Sequence, residues 1–222
     1  MGNGMNKVLP GLYLGNFRDA KDMDQLTKNN ITHILAIHDN AQPVLEHLKY
    51  KCIHAADSPD QEISGFFQES IDFIHKCRLN NGACLVHCMA GVSRSTTLVA
   101  AYIMAVTQLN WRDAIKAIKC SRSIANPNYG FQRQLQDFYN LQASKERERL
   151  QRDFPNTDFK DEEYLLELMA NNEEKDLSEE DAVMNALCRH TNRTKINSIS
   201  KENQETSHPN DEEATINTEL ED

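Results

Sequence analysis

The run His87-Cys88-Met89-Ala90-Gly91-Val92-Ser93-Arg94-Ser95 sets a thiol and a guanidinium at the two ends of a short loop. An apolar stretch precedes it, Ala83 to Val86, and a longer one follows, Leu98 to Val106. The first has the length of a buried strand and the second that of a core helix. A loop that enters a helix turns successive backbone N–H groups inward, and the helix dipole reinforces the anion-binding hollow they form. The field that holds a phosphate dianion there also favours a thiolate, so Cys88 is expected to ionise below the roughly 8.5 of a free cysteine. Gly91 lets the loop close, and Met89, Ala90, Val92 and Ser93 supply further amides to a bound phosphate. Arg94 offers a planar fork of donors matched to two phosphate oxygens.

Cleaving a phosphate ester also needs a proton for the leaving oxygen, carried in on another loop. Asp57 is the candidate, because it closes the apolar stretch Cys52 to Ala56 and opens a Ser58-Pro59 turn. Asp60 and Glu62 are its rivals, and a mere turn cap is the plainer role. Ser95 is placed to donate its hydroxyl to the sulfur and ease its departure, or simply to start the helix. His87 is expected to orient the loop rather than act as a base. The eight histidines and six cysteines never fall into paired ligand spacing, so the chemistry is expected to be free of metal and cofactor.

Cys88 to Arg94, with His87 before and Ser95 after, resembles the signature of the cysteine-dependent protein phosphatases. Ala101-Tyr102-Ile103-Met104 and the run from Arg122 to Phe131 resemble motifs of their dual-specificity branch, and the likeness runs from about Val8 to Tyr139. The resemblance implies an α/β fold with a central mixed sheet flanked by helices on both faces. It also implies that Asn128 braces the phosphate loop, with an ordinary helix cap as the alternative. The activity it implies is hydrolysis of phosphotyrosine and phosphoserine or phosphothreonine on signalling proteins through a phospho-cysteine intermediate. Phosphoproteins would be the partners, kinases of MAP-kinase and JNK cascades among them. A phosphoinositide phosphatase and a phospho-binding adaptor with little turnover are the alternatives. The uncharged side chains at 89, 90, 92 and 93 weigh against the first. The presence of an ionisable nucleophile weighs against the second.

Charge divides the chain. Residues 1–154 carry 18 Lys and Arg against 15 Asp and Glu, whereas residues 155–222 carry 6 against 19. A catalytic domain is therefore expected over 8–154, followed by an acidic, mostly disordered tail with one amphipathic helix near 162–169. Residues 1–7 read as an acylation signal. Gly2 fits N-myristoylation, although Asn6 stands where Ser or Thr is preferred. A single acyl chain gives only reversible membrane contact. Six cysteines without regular spacing, the lack of a signal peptide and a thiolate-dependent site point to a reducing, intracellular compartment. The expected location is the cytoplasm, extending to the nucleus, and the cytosolic face of the plasma membrane if Gly2 is acylated. A monomer without nucleic-acid partners is expected.

The remaining periodicities predict a short strand at Leu12 to Leu14 and a helix from Asp19 to Asn29. Strands at Ile31 to Ile37 and Lys51 to Ala55 follow, then a helix from Ile63 to Cys77. Asn110 to Asp113 reads as a capping box opening another helix. The last core helix is expected to run unbroken from Asn128 to about Gln151. A low-pKa thiol is a peroxide target, and Cys52 or Cys84 would be candidates to trap its oxidised form; plain core packing is their alternative role.

Overall fold

The computed structural model describes residues 4–155 and 157–175. The expected acylation site at Gly2 and most of the acidic tail lie outside the described residues. One five-stranded sheet, ordered β1-β2-β5-β3-β4, organises residues up to Asn172. Its strands are β1 (Asn6–Leu9), β2 (Leu12–Gly15), β3 (Ile31–Ile37), β4 (Lys49–Ile53) and β5 (Ala83–His87). Strands β2, β5, β3 and β4 run parallel, while β1 folds back antiparallel on β2. The sheet is therefore mixed, as expected.

Alternation along β5 shows how the sheet divides two cores. Cys84, Val86 and Cys88 belong to the larger one, and Ala83 and Leu85 to the smaller one. The larger core lies under α2 (Phe67–Leu79), α3 (Arg94–Val106), α4 (Trp111–Ser121), α5 (Tyr129–Leu141) and α6 (Ala143–Asp153). The smaller is covered by α1 (Met23–Lys28) and its flanking turns. Residues 94–105 of α3 are all buried, which explains why the part from Leu98 on reads as apolar on every side. α3 directly follows β5 and packs against α2, α4, α5 and α6, so the catalytic loop is anchored at both ends in the centre of the fold.

Several expected boundaries move. Strand β1 was not expected; it falls partly within residues 1–7 and turns through Pro10 and Gly11, the latter at φ +75°. The helix expected from Asp19 divides, because Asp22 caps α1 by accepting from Gln25 N at 3.1 Å. Strand β4 ends at Ile53 rather than Ala55. The helix expected from Ile63 begins as a 3-10 turn, with α2 proper starting at Phe67. The long last helix breaks at Gln142, which leaves helical geometry at φ −133° before α6 begins at Ala143. Asn110 does cap α4, accepting from Arg112 N and Asp113 N.

The fold also continues past residue 154. A helix, α7, occupies 161–175 of the described residues, and Leu165 and Met169 join the larger core. At its start Asp161 forms a two-pronged pair with Arg78, at 2.6 and 2.7 Å, with both side chains 2% exposed. The hydroxyl of Tyr102 and the carbonyl of Pro10 accept two further Arg78 donors, at 2.7 and 2.8 Å. A buried pair so fully bonded ties this segment to α2, α3 and β1.

Candidate active site

Strand β5 ends at His87, and the chain then turns through residues 88–93 before α3 begins at Arg94. Cys88, 1% exposed, sits at the floor of this turn. Its sulfur accepts from Gly91 N at 3.2 Å and from Ser95 Oγ at 3.2 Å. Burial pushes the thiol up, yet the Ser95 hydroxyl and the amides of Ser95, Val92 and Gly91 outweigh it, so the thiol lies below its ordinary value. Gly91 is required here. Its φ is +66°, and a Cβ would fall 2.5 Å from the carbonyl oxygen of Gly15.

Arg94 is buried, with Nη1 donating to Ala55 O and to Asp39 Oδ2, each at 3.0 Å. Its Nε is buried without a hydrogen-bond partner and lies 3.7 Å from Asp57 Oδ2. An arginine tied down at one nitrogen and unpartnered at another is prepared for an anion.

Asp57 comes from the turn after β4. Its Oδ1 accepts from Ser93 Oγ at 2.7 Å and from Asn128 Nδ2 at 2.9 Å. Those bonds occupy Oδ1 as an acceptor and leave Oδ2, on the Arg94 side, as the oxygen able to carry a proton. Asp60 and Glu62, the rivals, are exposed farther along the turn. Asn128 makes two further bonds: its Oδ1 caps α5 at Phe131 N, 3.0 Å, and its backbone N–H donates to Ser93 Oγ, 3.0 Å. Ser93, at the cap position of α3, thus links the loop to Asp57 rather than capping its own helix.

His87 is buried, and burial pushes its pKa down to about 4, so the ring is neutral at pH 7. Its Nδ1 donates to Cys88 O at 3.3 Å, and the ring packs beside Phe17 and His38. A shallow groove next to the loop is lined by Phe17, His38, Asp39, Asn40, Gln42 and the exposed Met89. Among the described residues no group of three or more His, Cys, Asp or Glu is placed to hold a metal ion.

Three neighbours were missed from the sequence. Asp39 follows the end of β3 and was discoverable by the signal that singles out Asp57, a carboxylate leaving a strand. Arg122 opens the second motif, but its bonds to the carbonyls of Ala90 and Gly91 carry no local mark, nor do those of Gln134 to Ile63 N and Ser64 N. The resolving cysteines do not fit: Cys84 is four residues back along an extended strand, about 13 Å away. Its free thiol instead stands beside the free thiol of Cys77, within hydrogen-bonding reach. Cys52 lies two strands across, about 9.5 Å from the end of β5. Both exceed the roughly 7 Å that a disulfide spans between Cα atoms.

A thiol held by amides at a strand-to-helix turn, with a buried arginine ending the same loop and a carboxylate bonded to that loop through Ser93, defines the cysteine-dependent phosphatase class. The chain belongs to the dual specificity phosphatase family, whose catalytic domain matches residues 12–141. It is 55% identical over 170 residues to human dual specificity protein phosphatase 22, covering 77% of this chain and 92% of that protein. Mouse dual specificity protein phosphatase 15 is 55% identical over 169 residues, covering 76% of this chain and 72% of that protein. A crystal structure of DUSP15 superposes with a TM-score of 0.67 at 57% identity, covering 69% of this chain and 98% of that one. That of the human tyrosine phosphatase-like serine/threonine/tyrosine-interacting protein gives 0.61 at 34% identity, covering 63% and 98%.

Proposed function

We propose that Cys88 is the nucleophile of this dual specificity protein phosphatase and that Asp57, Arg94 and Ser95 complete its machinery. The thiolate attacks phosphorus in line. The bond to the leaving oxygen breaks, and that oxygen takes the proton of Asp57. Amides of the 88–94 loop and the free edge of Arg94 hold the equatorial oxygens as their charge redistributes. Water then attacks the phospho-cysteine, Asp57 accepts its proton, and the sulfur leaves as thiolate with the Ser95 hydroxyl donating to it. Phosphate is released, and the site returns to its starting state.

The observation that carries this reading is the pair of donors on Cys88 Sγ, in one loop with a buried arginine whose Nε makes no hydrogen bond. An adaptor reading draws on one related fold whose name describes an interacting protein. Binding alone gives no reason for a stabilised thiolate beside a proton donor. Cys88→Ser is expected to abolish hydrolysis while phosphopeptide binding survives; retained turnover overturns the assignment.

The substrates we propose are phosphoproteins of kinase cascades, MAP kinases included, engaged partly through the groove beside Met89. Soluble phosphoinositide headgroups should be poorer substrates than phosphopeptides. We further propose a cytoplasmic and nuclear protein with reversible membrane contact through acylated Gly2, supported by the start Met1-Gly2 and Lys7. No helix among the described residues is long and apolar enough to cross a membrane. Intact mass after expression with N-myristoyltransferase and myristate tests it: an unmodified Gly2 refutes acylation.

A further inference from the structure

Three successive carbonyl groups of the catalytic loop point away from the sulfur and into one short segment. Ala90 O accepts from Arg122 Nη2 at 3.2 Å, Gly91 O from Arg122 Nε at 2.7 Å, and Val92 O from Asn126 N at 2.8 Å. In a trans peptide the C=O of one residue and the N–H of the next lie on opposite sides. Fixing the carbonyls of 90, 91 and 92 outward therefore turns the amides of 91, 92 and 93 inward. The donors that meet the sulfur and the phosphate are oriented from behind.

Arg122 lies in the turn after α4 and is 3% exposed. Its third nitrogen faces the start of the chain: Nη1 donates to Asn6 Oδ1 at 2.7 Å and to Gly4 O at 3.2 Å. The adjoining backbone is seated too, since Met5 N donates to Gln25 Oε1 at 2.9 Å. Asp19, itself buried, stands near enough to offset the charge of Arg122. There is no slack in the grip. A Cβ on Gly91 would fall 2.7 Å from Arg122 Nη2.

We propose that Arg122 is a positioning residue for phosphoryl transfer, holding the loop with its amides turned inward, and that Gly4 and Asn6 hold Arg122 in turn. The seating of the segment Gly4 to Asn6 is thereby coupled to the catalytic loop through Arg122. Asn6, which departs from the acylation pattern, has this separate role as a hydrogen-bond acceptor. The proposal rests on Cys88 being the nucleophile.

The test is the pH dependence of Cys88 alkylation by iodoacetate in the full chain, with kcat and KM for para-nitrophenyl phosphate. The variants are Arg122→Met, which keeps length and removes every donor, Arg122→Lys and Asn6→Ala. Arg122→Met is expected to raise the thiol midpoint and lower kcat by about 10- to 100-fold, with KM changing less. Lysine should restore part of both, and Asn6→Ala should move both the same way by a smaller amount. If the wild-type thiol titrates like a free cysteine, the nucleophile reading itself fails. If the wild type is low and Arg122→Met matches it at unchanged kcat, the Arg122 proposal alone fails. Should Arg122→Met not fold, Asn6→Ala decides: an unchanged midpoint and kcat overturn the coupling.

Discussion

Gly130 lies so close beneath Pro59 that a Cβ on it would fall 1.9 Å from the Pro59 carbonyl oxygen. That contact seats the turn carrying Asp57 on the first turn of α5. Gln134, one turn on, fastens the same segment by accepting from Ile63 N and Ser64 N and donating to Gln61 O. Together with the Asn128 amide on Asp57, the start of α5 is a platform for the proton donor.

Gly130→Ala should lift that turn and misplace Asp57. Turnover is expected to fall by about tenfold or more. The Cys88 titration should stay as in the wild type, because the 88–94 loop is built by other residues. Steady-state kinetics beside thiol alkylation read both quantities, and a fall in kcat with a displaced thiol midpoint contradicts the platform.

Ser95→Ala removes the hydroxyl that donates to the sulfur. The folded thiol, lowered by that bond and by the loop amides, should move back up, so the thiolate fraction at a given pH falls. Sulfur departure should slow more than its attack, because the hydroxyl stabilises the thiolate as a leaving group. A pre-steady-state burst of released alcohol is the expected sign; equal slowing of both steps counts against it.

Asp161→Ala leaves the Arg78 guanidinium buried without its carboxylate. Breaking such a pair from one side is expected to cost about 3–5 kcal/mol of stability, measured by urea unfolding. A chain ended at residue 154 should lose at least as much, since it also discards Leu165 and Met169 from the core. An effect near zero in both contradicts the extended domain boundary.

Two histidines set an acid limit. Burial pushes His87 and His75 down to about 4, below the usual value of roughly 6.5 in an unfolded chain. Between those values the unfolded chain binds more protons than the folded one, so stability rises with pH there. It should be fully present above about 6.5 and fall as pH drops toward 4. His87→Asn should flatten part of that slope in thermal melts taken across the range; an unchanged slope contradicts the assignment.

The catalytic loop was legible because nucleophile, glycine, arginine and hydroxyl fall within the eight residues 88–95, and because β5 and α3 are apolar enough to show their type without context. Asp57 was legible as a carboxylate at a strand end. Strand β1 was not, since four residues with two of them polar carry no periodicity. The break at Gln142 was hidden because neither Gly nor Pro marks it; α6 turns there to pack against α3 and α5. Asp161 reads as one more tail acid until the fold brings it to Arg78. Arg122 and Gln134 act through backbone atoms of distant loops, a relation that no local spacing encodes.

Acid-quenched reaction of the enzyme with a phosphotyrosine peptide, followed within milliseconds by mapping of the phosphorylated residue, tests the central claim most directly. A phosphoryl group on the peptide containing Cys88, appearing before phosphate is released, is the result expected. Turnover with that peptide unmodified, or with the group on another residue, contradicts the account.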